Sequence, residues 1–323
     1  MNILRRQVFL AAAIACAVPV WAQDKFPSRP VSIVVPFPAG GVVDVVARMV
    51  GQKMSATLGT PVVIENKPGA GGTIGAAYVA RAKPDGYTIL LGGSATQVFG
   101  PALYKSLRYD AKKDFVPIGQ ISSGPLVLVT GSKVPAGDVA QLTAYLKDEG
   151  VRAFYGSNGN GTFPHLAAEL FKQANRLPSA HIPYGGGPAA LTALITGDIA
   201  FSINHIPVVQ GMVKAGRVRA LATTGKARSV AFPNLPTLDE VGMKGFEANA
   251  WWGLFAPAGT SAGIVQTLNE ALATALKDPS VIAGLEAQGD EVAYSTPSDF
   301  GAYVNAESVK WTKVVKLADL RLD

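Results

Sequence analysis

From Arg29 onward the chain alternates short, unbroken apolar runs with longer stretches in which apolar residues recur every three or four positions. VSIVV (31–35) is followed by VVDVVARMVGQKMSATL (42–58), PVVIE (61–65) by TIGAAYVARA (73–82), and YTILLG (87–92) closes the series. A run that is apolar at every position fits a strand buried on both faces, and a helical period between such runs supplies the covering layer. The pattern predicts an α/β class with parallel strands.

The rhythm breaks at DFVPIGQISSGPLVLVT (114–130), where two β-like runs are separated by Ser122-Ser123-Gly124-Pro125 and no helix intervenes. Such an extended segment suits a chain passing from one lobe to another, and a return is expected within RALATTGKARSVAFPNLPT (219–237). Between the crossings the pattern predicts helices over 138–147, 163–174 and 188–196 and strands over 152–156, 179–184 and 198–203. Beyond them it predicts a strand from Trp251 and helices over 261–276, 279–288 and 297–316. Residues 23–123 and 225–323 are expected to form lobe 1, and 124–224 lobe 2.

The first 22 residues read differently. Arg5 and Arg6 precede an apolar run, and Val20-Trp21-Ala22 has the small residues of a cleavage site, so the segment reads as a Sec signal peptide removed after Ala22. Val8 to Val18 is too short to span a bilayer, which takes about 20 apolar residues. Cys16, the only cysteine, lies within this leader, so the mature chain has no disulfide and no thiol nucleophile. The formal charge of +6 is spread along the chain without basic runs interleaved with aromatics, which argues against nucleic acid as a partner.

Two glycine-rich loops stand where a strand should hand over to a helix: PFPAGGVVD (36–44) and GSNGNGTFPH (156–165). Each places bare backbone N–H groups and a helix N-terminus at the carboxyl end of a strand, where α/β folds bind ligands and where an anion is the natural guest. Ser157 and Thr162 add hydroxyls, although Thr162 also suits a plain helix cap. NKPGAGGTIGAA (66–77) departs from the dinucleotide fingerprint in its spacing, and Gly75 there fits close packing equally well. GTSAG (259–263) matches a hydrolase nucleophile elbow, which makes a secreted serine hydrolase using Ser261 the rival reading. Pro257-Ala258 interrupts the turn such an elbow needs, and Ser261 is better placed as a helix cap. His165, His181 and His205 have no metal-ligand spacing, so neither metal nor cofactor is expected. His165 is expected to wall the cleft or to fix the glycine loop by a hydrogen bond.

These motifs, with HIPYGGGPAALTALITGDI (181–199), RALATT (219–224), LPTLDEVG (235–242) and FAPAGT (255–260), resemble the Bug family, the extracytoplasmic receptors of tripartite tricarboxylate transporters, over essentially the whole mature chain. The resemblance implies a type II-like periplasmic binding protein whose two lobes, joined by two crossover strands, close on a small organic carboxylate. It implies a periplasmic, non-enzymatic receptor, expected to be monomeric, that delivers its ligand to membrane permease subunits; an orphan receptor serving a signalling partner is the alternative fate. Gly40, Gly41, Ser157, Asn158, Gly161 and Thr162 would supply donors, and Asp44 would orient the first loop. Phe37 and Tyr184 would offer apolar walls, as could Phe163 and Trp252. Pro38, Ala39, Ser94, His165 and Asn204 complete the expected site. Asn204 stands where an Asp is common in the family, which argues against an amino-acid ligand and leaves di-, tri- and aromatic carboxylates open.

Overall fold

In the computed structural model, residues 26–148 and 153–322 are described. The leader and its cleavage site therefore lie outside the described residues. Strand β1 (Val31–Val35) leads to helix α1 (Val42–Leu58), β2 (Val62–Asn66), α2 (Thr73–Ala80) and β3 (Thr88–Gly93). β1 lies between β2 and β3, parallel to both. A π-helical turn (Ala95–Phe99) and the one-turn helix α3 (Gly100–Leu103) follow β3.

The segment read as two β runs is one uninterrupted strand of 17 residues, β4 (Phe115–Gly131). As far as Pro125 it pairs with β9 (Asn249–Pro257); from Leu126 it pairs with β7 (Phe201–His205) and with β8 (Val218–Thr223). The Ser-Ser-Gly-Pro stretch continues the strand because both of its sides are occupied: Ser122 to Pro125 have β9 partners, and Ser122 and Ser123 also face β10 (Glu291–Val292). The chain returns after β8, where Thr224 Oγ1 accepts from Leu126 N and donates to Ala248 O.

In the second lobe α4 (Val139–Lys147), β5 (Phe154–Ser157), α5 (Phe163–Asn175), β6 (Ala180–Pro183) and α6 (Gly187–Thr196) precede β7, and α7 (Ile206–Lys214) follows it. The strand expected over 198–203 starts at Phe201 and runs to His205, because Gly197 ends α6 in a left-handed conformation and Asp198 N closes back on Ala193 O. The sheet is mixed: β5 is parallel to β6 and β7, whereas β9 runs antiparallel to both β3 and β4.

Helices α8 (Ala262–Ala275), α9 (Pro279–Ala287) and α10 (Pro297–Leu317) complete the chain. α1 and α8 cover one face of the first sheet with Val46, Val50, Met54, Leu268 and Leu272, all fully buried. α10 covers the other face and reaches the second lobe. Trp311 on α10 meets Phe99 and Phe163 with ring centroids 5.4 and 5.3 Å away, and Val314 O accepts from Gln173 Nε2 of α5.

Candidate functional site

The carboxyl ends of β1, β3, β5 and β7 converge on the gap between the lobes, together with the first residues of β9. A cavity of about 270 Å³ lies there. From lobe 1 it is lined by Phe37, Ser94, Phe99, Tyr104, Trp251 and Trp252, and from lobe 2 by Asn158, Asn160, Gly161, Thr162, Phe163 and His205. Among the described residues neither Lys nor Arg lines it. The polar groups are neutral and three have atoms buried without a protein partner among the described residues: Ser94 Oγ, Asn158 Oδ1 and Trp251 Nε1.

The lobe 2 wall is the glycine loop. Gly159 and Gly161 hold φ of 124° and 71°, left-handed values that side chains resist, and they turn the chain sharply from β5 into α5. The first-turn N–H groups of α5 have no helical acceptor and carry the positive end of the helix dipole. Two imidazoles brace the loop. His165 Nδ1 accepts from Gly161 N at 3.1 Å, and His181 Nε2 shares a 2.7 Å hydrogen bond with Ser157 Oγ. The two rings stack with centroids 3.7 Å apart, and Tyr155 stacks on His181 in turn. Burial lowers the pKa of His165 to about 3 and of His181 to about 4, so both are neutral at neutral pH. Only a neutral His165 leaves Nδ1 free to accept.

The two loop hydroxyls are engaged within the loop. Thr162 sits at the N-cap position of α5 without a side-chain cap bond; its Oγ1 donates to Gly159 O at 2.8 Å. Ser157 is fully buried and is absent from the cavity wall.

The lobe 1 loop is anchored by Asp44. Its carboxylate accepts from Gly40 N, from Arg48 Nε and Nη2, and from Asn66 Nδ2, which also donates to Phe37 O. The Arg48 hydrogen bond is the largest of the influences that hold its pKa down at about 2 despite burial. Phe37 is thereby set edge-on to Trp252, with centroids 6.1 Å apart.

Of the expected residues, Phe37, Ser94, Asn158, Gly161 and Thr162 share the cavity, whereas Pro38, Ala39, Gly40 and Gly41 form an exposed rim beyond it. Tyr184 packs on Gly156, where an added Cβ would come within 3.0 Å of its ring. Asn204 is fully buried; its Nδ2 donates to Ser202 Oγ and its Oδ1 has no partner among the described residues. Wall residues that the sequence reading did not single out include Phe99, Tyr104, Asn160, His205, Trp251 and Leu322. Leu322 arrives from the C-terminal tail, where its N–H donates to Leu103 O. Gly75 is structural, since a Cβ there would lie 2.8 Å from Pro36 Cβ and 2.9 Å from Lys67 O.

Ser261 is exposed and caps α8, its Oγ accepting from Ile264 N. This is the helix-cap role, and it removes the nucleophile elbow from the picture. Two lobes on a shared strand, with a partly apolar cavity between them, define a solute-binding protein. The family model for the tripartite tricarboxylate transporter family receptor, TctC, matches residues 46–320, and the chain belongs to that family. BugT of Bordetella pertussis is 35% identical over 98% of this chain and 96% of its own. An R. palustris protein solved with adipate superposes with a TM-score of 0.78 at 34% identity, covering 92% of this chain and 99% of its own. MatC from Rhodopseudomonas palustris, solved with bound malate, does so with a TM-score of 0.74 at 33% identity over 90% and 100%. The protein is a Bug-type receptor and not an enzyme, in a family whose receptors are periplasmic. Among the described residues no helix is long and apolar enough to cross a membrane.

Proposed function

We propose that this receptor captures a small carboxylate with an apolar, aromatic body between its lobes and presents it to the permease subunits of a tripartite tricarboxylate transporter. Lobe 1 on this reading comprises residues 23–123 and 225–323 and lobe 2 residues 124–224, with export completed by cleavage after Ala22. The observation that carries the reading is the pairing of partnerless buried polar atoms on Ser94, Asn158 and Trp251 with walls made of Phe37, Phe99, Tyr104, Phe163 and Trp252. Trp251 N–H, the Ser94 hydroxyl and the first turn of α5 suit one carboxylate, held by dipoles without a counter-charge.

A second or third carboxylate would have to sit against aromatic surface with neither Lys nor Arg beside it, at a considerable desolvation cost. The volume of about 270 Å³ exceeds the roughly 150 Å³ that accommodates benzene, leaving room for a carboxylate and a ring substituent. Adipate and malate in the related structures support a carboxylate as the common element.

The test is a thermal-shift series with benzoate, phenylacetate, adipate, malate and citrate. At a hundredfold excess over Kd the cognate class should stabilise the protein by about 2.7 kcal/mol. The largest shift is expected from an aromatic monocarboxylate; a larger one from malate or citrate would refute the apolar-body assignment. Sequencing of the exported protein should start at Gln23.

A further inference from the structure

A second cavity, of about 240 Å³, opens on the outer side of lobe 1 between α10 and strands β4 and β9. Gln97, only 3% exposed, is among the residues that line it, with both Oε1 and Nε2 lacking a partner among the described residues. The sheet makes room for this amide by omitting a side chain. A Cβ on Gly92 would lie 3.2 Å from Gln97 Nε2 and 3.0 Å from the Phe255 ring. Phe115 and Phe255, both buried, and Pro117 form the sides. Lys112 and Asn305, both exposed, and half-buried Ser308 surround the mouth.

A buried amide left unpaired is costly, and here its donor and acceptor stand side by side among apolar walls. We propose that this cavity is a second ligand site that takes a small aromatic carboxamide, distinct from the interlobe cavity. The ligand's N–H would donate to Gln97 Oε1 and its C=O would accept from Gln97 Nε2, while its ring lies against Phe115 and Phe255. A carboxylate is a poor guest here: it satisfies Nε2 but turns negative charge toward Oε1. Gln97 also lies in the π-helical turn Ala95–Phe99, and Ala95 and Phe99 of that turn line the interlobe cavity. Occupancy of the outer cavity therefore bears on a wall of the inner one.

The experiment is calorimetric titration of the purified protein with benzamide, and with benzoate for comparison, in the wild type and in Gln97→Met, Ser308→Trp and Gly161→Val. Met replaces the amide by a similar volume without hydrogen-bonding groups, and Trp at 308 closes the mouth from a half-buried position. Saturable benzamide binding in the millimolar range or tighter is expected. It should weaken about tenfold or more in Gln97→Met and in Ser308→Trp and persist in Gly161→Val. Equal affinity in wild type and Gln97→Met, loss in Gly161→Val, or no saturable binding would each overturn the proposal.

Discussion

Asp44 accepts four hydrogen bonds from three residues, so one carboxylate fixes the first turn of α1, the Phe37 carbonyl through Asn66, and the rim at Gly40. Asp44→Asn should cost about 2 kcal/mol of stability in urea unfolding, chiefly through the part-buried Gly40 and Asn66 bonds, because exposed Arg48 is well solvated. Its pKa is depressed, so its contribution is complete above the ordinary value of 3.8 and disappears as pH falls through about 2. Trp251 offers a second residue-scale readout. Its indole N–H has no partner among the described residues, so ligand binding should change tryptophan emission, and Trp251→Phe should weaken carboxylate binding about tenfold, with Trp252 left as the reporter in the cavity wall.

At the scale of elements, the glycine loop was legible because glycines ahead of a helical period mark a strand-to-helix turn with exposed N–H groups. Its bracing was not: His181 sits 24 residues beyond Ser157, and nothing local in either segment announces their hydrogen bond. Leu322 is a stronger case. A leucine five residues past a terminal helix carries no sign of docking, yet it lies beside Gly161, where an added Cβ would come within 2.7 Å of its Cδ1. Gly161→Val combines that clash with a φ of 71°, and binding should be lost in the thermal-shift assay while the circular dichroism spectrum is retained. His165→Phe keeps the ring stack but removes the acceptor for Gly161 N, and a roughly tenfold rise in Kd is expected with a Tm close to wild type.

Over the whole molecule, burial lowers the pKa of His165 to about 3 and of His181 and His205 to about 4, all from 6.5, while burial raises Asp290 to about 7 from 3.8. Between about pH 4 and 6.5 the unfolded chain binds more protons at the three histidines and fewer at Asp290. The histidine contribution is complete above 6.5 and is lost as pH falls toward their folded values; that of Asp290 is complete below 3.8 and is lost as pH rises through 7. Three groups against one make Tm rise with pH across this window, and Asp290→Asn should steepen the rise. A Tm that falls between pH 5 and 6.5 would contradict this balance.

The two-lobe division was readable from the missing helix at 114–130, since an extended segment without a covering helix has to go somewhere other than the next parallel strand. The strand order was not readable, because periodicity reports which faces are buried and says nothing about which neighbour lies alongside. β9 lies between β3 and β4, although it starts about 120 residues after β4 ends and about 155 after β3 ends. A chain that has emerged only as far as residue 248 therefore holds β3 and β4 with no strand to join them, two unpaired strand edges open to any passing partner. Lobe 1 cannot close its sheet until the last quarter of the polypeptide arrives and slots into the middle, so the half of the receptor that begins first finishes last.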